Sequence, residues 1–304
     1  MKTKASCPAR SNKISPFRAI ATILFFTCLS FIACEKDNYP EPQPSFDTTS
    51  PGEQDVNQSN EFQGGVLLLP VEEYKKLPVA EVPNTLPKDI AASVSLSTPP
   101  ISNQGAEGSC VAFGTTYAAR SIMWKKNHSA SSYTTSTNIF SPEYVYNQIK
   151  LSSSCLSGSY VTTGLNLLKS QGACRWSKMP YTDVSCSTMP NATQKSDASG
   201  YKLSGYGTVS CTVSAIKSLL NSGYPIVVAG PVNTQFQTLT PGAILTNRVG
   251  NIGNHCYCVV GYDDSKNAFK VMNSYGTNWG TSGYGWIDYG YISQWWNELY
   301  KLNN

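Results

Sequence analysis

The chain has 304 residues, enough for one large domain or two lobes with their own cores. Charged residues make up 14% of it and the formal net charge is +4. Residues 1–33 hold Lys2, Lys4, Arg10, Lys13 and Arg18 and no acid, so the remainder carries −1. No basic field is left over, which excludes nucleic acid as a partner.

Residues 1–18 form a basic leader, and "AIATILFFTCLSFIA", residues 19–33, is a continuous apolar run. It is short for a membrane span, which needs roughly 20 residues, and has the length of a signal-peptide core. It ends on Ala33 followed by Cys34. This resembles a bacterial lipoprotein signal, cut before a cysteine that then receives lipid. Phe31 departs from the pattern, standing where an aliphatic residue is usual. The other reading is an ordinary secretory signal with an incidental cysteine. The following "CEKDNYPEPQ" favours the lipoprotein and resembles surface-export signals. The expected location is the outer membrane or cell surface, with a periplasmic or secreted form as the alternative.

Residues 34–65 are rich in Pro, Ser, Asn, Gln and acids and show no periodicity. Such a stretch buries too little apolar surface to offset its ordering entropy. As a coil it would span on the order of 30 Å, a tether between membrane and domain. Residues 66–85, beginning "VLLLPVEEYKKLPVAEVP", read as a short prosegment or a docking strand. They are too short to be read as an inhibitory propeptide, and three prolines argue against a long helix.

The folded domain is expected over residues 86–304. Its first half reads as helices. "CVAFGTTYAARSIMWKK" has apolar or small residues all round, with Ser109 in N-cap position. "SPEYVYNQIK" places Ser141 at the cap and Pro142 at the first helical position. "TTGLNLLKSQG" and "VSAIKSLLNSG" are amphipathic and stop at Gly172 and Gly223. The second half turns to strands: "YPIVVAG", then "HCYCVVGYDDSKNAFKVMNSYG" folded about the turn "DDSKN", then "YGWIDYG". Helices followed by strands imply an α+β protein with two lobes.

The chain has only two histidines. His128 lies in a polar loop and reads as solvated. His255 begins a strand, and if that strand turns back through "DDSKN" the residue opposite it falls near 273–275. The hairpin therefore makes His255 and Asn273 neighbours, within a residue of register. Cys110, at the first turn of a helix, would feel the dipole and the free N–H groups that favour a thiolate. Asn273 would orient the imidazole. Gln104, on the turn "QGAEG", would share an oxyanion with the backbone N–H of Cys110.

"NQGAEGSCVAF", "NHCYCVVGY" and "NSYGTNWGTSGYGW" together resemble the papain-like (cathepsin-like) cysteine peptidases. The resemblance runs from about Leu86 to Tyr291. His255 lies 145 residues beyond Cys110, within the family's spacing. It implies a helical left lobe and a β-rich, barrel-like right lobe with a peptide cleft between them. By matching position, Cys110 is the nucleophile, His255 the acid and base, Asn273 the orienter and Gln104 the oxyanion donor. Trp279 matches an aromatic of the right-lobe wall. Gly158, in "CLSGSYV", falls in the glycine-rich segment that pairs with substrate backbone. Glu107 stands where the family often has a second cysteine, and would tune the site or meet a basic substrate group. Val111 stands where Trp is usual, and Tyr275 replaces the Trp that shields the His–Asn bond. "MPYTDVSC" resembles the family's segment before a disulfide cysteine, which implies a Cys174–Cys186 bridge. Cys256 and Cys258 share a strand face beside His255, and read as core packing rather than as metal ligands. No cofactor and no metal is expected.

The expected function is an exported, lipid-anchored cysteine peptidase acting on peptides or proteins. The alternatives are an acyl transferase using the same acyl-enzyme, or a surface peptide-binding lipoprotein without activity. Nothing in the sequence bears on oligomeric state.

Overall fold

A computed structural model describes residues 65–83, 91–130, 132–183 and 185–304. The leader, the Cys34 lipidation site, nearly all of the tether and the expected start of the domain at Leu86 lie outside the described residues. Among the described residues no helix is long and apolar enough to cross a membrane.

The chain opens with strand β1 (Val66–Leu67) and a turn of helix, α1 (Val71–Tyr74), then β2 (Ser93–Ser95). The helical lobe follows. A continuous helical run begins as α2 (Cys110–Ala112), widens into a π-helix (Phe113–Arg120) and ends as α3 (Ser121–Asn127). Next come α4 (Pro142–Ile149), β3 (Ser159–Tyr160), α5 (Val161–Ser170) and α6 (Ala192–Ser199). The sheet lobe holds β4 (Gly205–Thr208), α7 (Val213–Asn221), β5 (Ile226–Val232), α8 (Thr234–Gln237) and β6 (Ile244–Leu245). It closes with β7 (Gly253–Asp263), β8 (Ala268–Met272), β9 (Tyr284–Asp288), α9 (Ile292–Trp295) and β10 (Glu298–Asn303). Strand order is β4-β10-β5-β7-β8-β9-β6, with β2 on β7. β1 and β3 form a separate parallel pair.

The local causes are legible. Pro142 opens α4, and the Ser141 hydroxyl accepts from the Tyr144 N–H, a cap worth about 1 kcal/mol. Thr212 caps α7 in the same way. Ser109 does not cap α2, because its hydroxyl is hydrogen-bonded to Tyr181 instead. Every residue from 109 to 123 is buried, as the all-round apolar pattern requires.

β7 is the central strand and its alternation sorts two cores. Cys256, Cys258 and Val260 face the helical lobe and join its apolar cluster. Tyr257 and Val259 belong to the cluster on the other face, with α7 and α9. The two cysteines thus pack between lobes. Gly114 permits this, since a Cβ there would come within 2.9 Å of Cys256 Sγ.

One expectation is corrected. The disulfide joins Cys155 to Cys186, and Cys174 is a free, buried thiol. Cys174 is held against the start of α4, where its carbonyl accepts from the Ser141 N–H. The loop before β3 brings Cys155 to Cys186, with a Cα–Cα distance of 5.5 Å that suits a bridge.

Candidate active site

Cys110 is the first residue of α2 and is fully buried. Burial pushes its thiol up to about 12. Against this act backbone hydrogen bonds from Cys256, Gly65, Val111 and Cys110 itself, all favouring the thiolate. Two of these belong to the helix N-terminus, as the sequence implied. The Cys256 bond brings the sulfur to the strand position next to His255.

His255 lies on β7 with no exposed surface. Its Nε2 is 2.8 Å from Asn273 Oδ1. The Ser274 N–H donates to the same Oδ1, also at 2.8 Å. An atom that accepts a backbone N–H is the amide oxygen, so His255 Nε2 is the donor. The neutral ring then carries its lone pair on Nδ1, the nitrogen able to act as a base. Burial lowers the imidazole to about 4, opposed by the Asn273 bond.

The hairpin arithmetic holds. Cys258 pairs with Met272 and Val259 with Val271, and a bulge between Val259 and Gly261 shifts the outer half by one residue. Continued inward, that register sets His255 beside the Asn273–Tyr275 stretch. The Tyr275 ring centroid is 4.7 Å from that of His255, and Trp279 lies 6.3 Å from Tyr275. Phe236 was not singled out in the sequence. It sits 5.7 Å from His255 and 5.1 Å from Trp279, and its carbonyl accepts from Trp279 Nε1. Its only sequence signal is the Asn233 cap three residues before it.

Gln104 is tied at four points. Its N–H donates to the Ser274 carbonyl and its carbonyl accepts from Tyr181. Its Oε1 accepts from Ser274 Oγ at 2.6 Å, and its Nε2 donates to the Glu107 carbonyl at 2.8 Å. One hydrogen of Nε2 is left over for an oxyanion. Ser274 links Asn273 to Gln104, a role the sequence did not reveal.

Glu107 is 2% exposed, and its Oε2 lies 3.1 Å from the Tyr181 hydroxyl oxygen. Burial raises its carboxyl to about 7, opposed by the Tyr181 bond. Glu107 and the two bridged sulfurs of Cys155 and Cys186 lie within 4.8 Å of one another. The bridge consumes both thiolates such a metal set would need. His128 is exposed and stacks on Trp124.

Gly158 meets the chain's own N-terminal segment. Val66 pairs with Ser159 and Leu67 with Tyr160, and the Ser159 N–H donates to the Gly65 carbonyl. A Cβ on Gly158 would stand 2.9 Å from that carbonyl. Gly65 also bonds the Cys110 thiol, and a Cβ on it would strike the Gly108 carbonyl at 2.1 Å. The Leu69 N–H donates to Glu298, a buried carboxylate on β10. The segment therefore covers the nucleophile and lies along the strand expected to hold substrate. Burial of both groups raises the Cys110 thiol and lowers the His255 imidazole, where the sequence led us to expect a depressed thiol.

The model for papain family cysteine proteases matches residues 86–295. The chain belongs to that family. It is 33% identical over 189 residues to gamete and mating-type specific protein A of Dictyostelium discoideum, covering 61% of this chain and 39% of that one. It is 30% identical over 191 residues to chymopapain of Carica papaya, covering 61% and 50%. The chain thus spans about half the length of these curated relatives or less. Among solved structures, xylellain, a cysteine protease from Xylella fastidiosa, superposes with a TM-score of 0.69 at 23% identity, covering 82% of this chain and 99% of that one. Procathepsin L2 of Tenebrio molitor gives 0.65 at 19%, covering 78% and 77%. These neighbours share the two-lobed α+β papain fold.

Proposed function

We propose that this chain is an exported, lipid-anchored cysteine peptidase, held in a self-covered form by residues 65–69. The observation that carries the peptidase reading is the double acceptance at Asn273 Oδ1. It assigns the lone pair of His255 to Nδ1, on the element that also reaches Cys110. Membership of a cysteine protease family supports the same reading.

In this reading His255 Nδ1 takes the Cys110 proton and the thiolate attacks a peptide carbonyl carbon. The carbonyl electron pair moves to oxygen, which receives hydrogen bonds from Gln104 Nε2 and the Cys110 N–H. On collapse the C–N bond breaks and the amine leaves with the proton from His255. Water then loses a proton to His255 and attacks the thioester, freeing acid and thiol. Covering of Cys110 by Gly65 keeps the described form inactive, so residues 65–69 must leave first. The apolar run ending at Ala33–Cys34 supports export and lipid attachment.

The test uses the full chain and its Gly65→Val variant, whose side chain has no room against Gly108. Each is offered a mixed peptide library with and without an added amine, with Cys110→Ala as control. Cleavage that vanishes in Cys110→Ala is expected. Amine-capped products would favour acyl transfer, and library retention without turnover would favour a binding lipoprotein. Fatty-acid labelling lost in Cys34→Ala is expected, and its persistence would overturn the anchor.

A further inference from the structure

We propose that Glu107 is a positioning residue: as an un-ionised acid it donates to Tyr181, which in turn fixes Gln104 at the cleft. The inference rests on the peptidase reading above and adds a residue to its machinery. Tyr181 Oη lies 2.7 Å from the Gln104 carbonyl, 3.1 Å from Glu107 Oε2 and 2.7 Å from Ser109 Oγ. A phenol has one hydrogen to give. A carbonyl oxygen and a carboxylate are both acceptors only. With Glu107 ionised, one of them would face phenol lone pairs at contact distance in a buried setting, where an unmade bond is costly. With Glu107 protonated, every contact is met. Glu107 donates to Tyr181, Ser109 donates to Tyr181, and Tyr181 donates to Gln104.

The surroundings agree. Glu107 is buried. The groups that bear on it are Glu143 and Tyr146 of α4, Lys150 at the end of α4, and Tyr181 and Asp183 of the loop before α6. Two of these are carboxylates and one is a cation, so the field does not favour a third negative charge. Glu107 Oε1 has no hydrogen-bond partner among the described residues, as suits a neutral carboxyl better than an anion. Its backbone serves the same end, because the Glu107 carbonyl takes the Gln104 Nε2 hydrogen. The acid thus clamps the oxyanion loop at Gln104 O and Gln104 Nε2 together.

Ionisation breaks the chain of donors. Its value is raised to about 7, so turnover should fall as the pH rises through neutrality, from an ionisation that belongs to neither Cys110 nor His255. The experiment compares pH profiles of kcat and KM in the Gly65→Val chain and in the same chain carrying Glu107→Gln, Glu107→Ala or Tyr181→Phe. Glutamine keeps a donor toward Tyr181. It should retain the plateau kcat and lose the alkaline fall. Glu107→Ala and Tyr181→Phe should lower kcat on the order of tenfold with KM little changed, less than the loss of an oxyanion donor itself. Should Glu107→Ala not fold, Tyr181→Phe keeps the ring against Phe113, 4.8 Å away. A Glu107→Gln profile that still falls with the wild-type midpoint overturns the proposal. A readout independent of turnover is the infrared difference between wild type and Glu107→Gln. A protonated carboxyl band is expected at about pH 5 that fades above about pH 7. A carboxylate band at both values overturns the proposal even if no peptide is ever cleaved. No cleavage together with the protonated band would sink the peptidase reading and leave the assignment of Glu107 standing.

Discussion

Gln104 has one orientation because four hydrogen bonds hold it, two of them shared with Ser274, one donated to its carbonyl and one accepted from its hydroxyl. A donor held in place before reaction costs no reorganisation when the oxyanion forms. Gln104→Ala is therefore expected to lower kcat about a hundredfold to a thousandfold with folding intact, checked by steady-state kinetics beside a melting curve. Ser274→Ala should cause a smaller loss by freeing the amide to turn. Within the candidate site, the His255–Asn273 pair and the place of Cys110 at a helix start were legible in the chain. Two histidines, one turn and a two-residue period sufficed, and the bulge at Val259–Gly261 moved the register by only one place. Ser274, Tyr181 and Phe236 were not legible. Their roles arise from contacts across 170, 77 and 19 positions, and none lies in a pattern that local periodicity exposes. Glu107 was noticed, but its partner Tyr181 was not. Its nearness to Cys110 in sequence says nothing of which way the loop turns it.

At the scale of elements, β1 is two residues long yet in the proposed reading it decides access to the site. Its partner is β3, the strand after Gly158, and the residue just before it, Gly65, reaches the thiol. The composition of residues 66–85 suggested a docking strand or a prosegment too short to inhibit. In the self-covered form proposed above, length is a poor measure, since covering a nucleophile takes only the few residues that cross it. Gly65 is where this contact is most fragile, because a side chain there meets the Gly108 carbonyl. Gly65→Val should lift the segment and raise the rate of Cys110 alkylation at neutral pH by at least about tenfold, roughly 1.4 kcal/mol. Mass mapping of the modified thiol checks this, and an unchanged rate would remove the segment from the account. The helices were read well because caps and stops are local: Ser141, Thr212, Gly172 and Gly223 all stand at helix ends. The disulfide was not. Family resemblance pointed to the Cys186 half of the bridge, but the choice of Cys155 over Cys174 depends on how the loop before β3 crosses α4.

Across the whole molecule the covered form ties acidity to opening. His255 is neutral and held down to about 4, against an ordinary value near 6.5. An unfolded or uncovered chain binds a proton there first. The covered state therefore keeps its full stability above about pH 6.5, and loses it as pH falls toward 4. The loss approaches about 3 kcal/mol from this group alone. The melting temperature of the wild-type chain should fall over that window, and the fall should be shallower in His255→Gln. Equal slopes would show that other groups set the acid limit. The lobes themselves were foreseeable from helices preceding strands. Their junction was not, since it rests on Gly114 admitting Cys256, a fit that appears only once both elements are in place.

The central claim is that Cys110 is a nucleophile activated by His255. It is tested most directly by the pH dependence of Cys110 alkylation in the Gly65→Val chain, beside the half-buried free thiol of Cys211 and the His255→Gln variant. The account predicts that Cys110 reacts at about pH 5 to 6, well below the range of an ordinary thiol, while Cys211 does not, and that His255→Gln abolishes the difference. A Cys110 profile that rises only near pH 8 to 9, the same with and without His255, would contradict it.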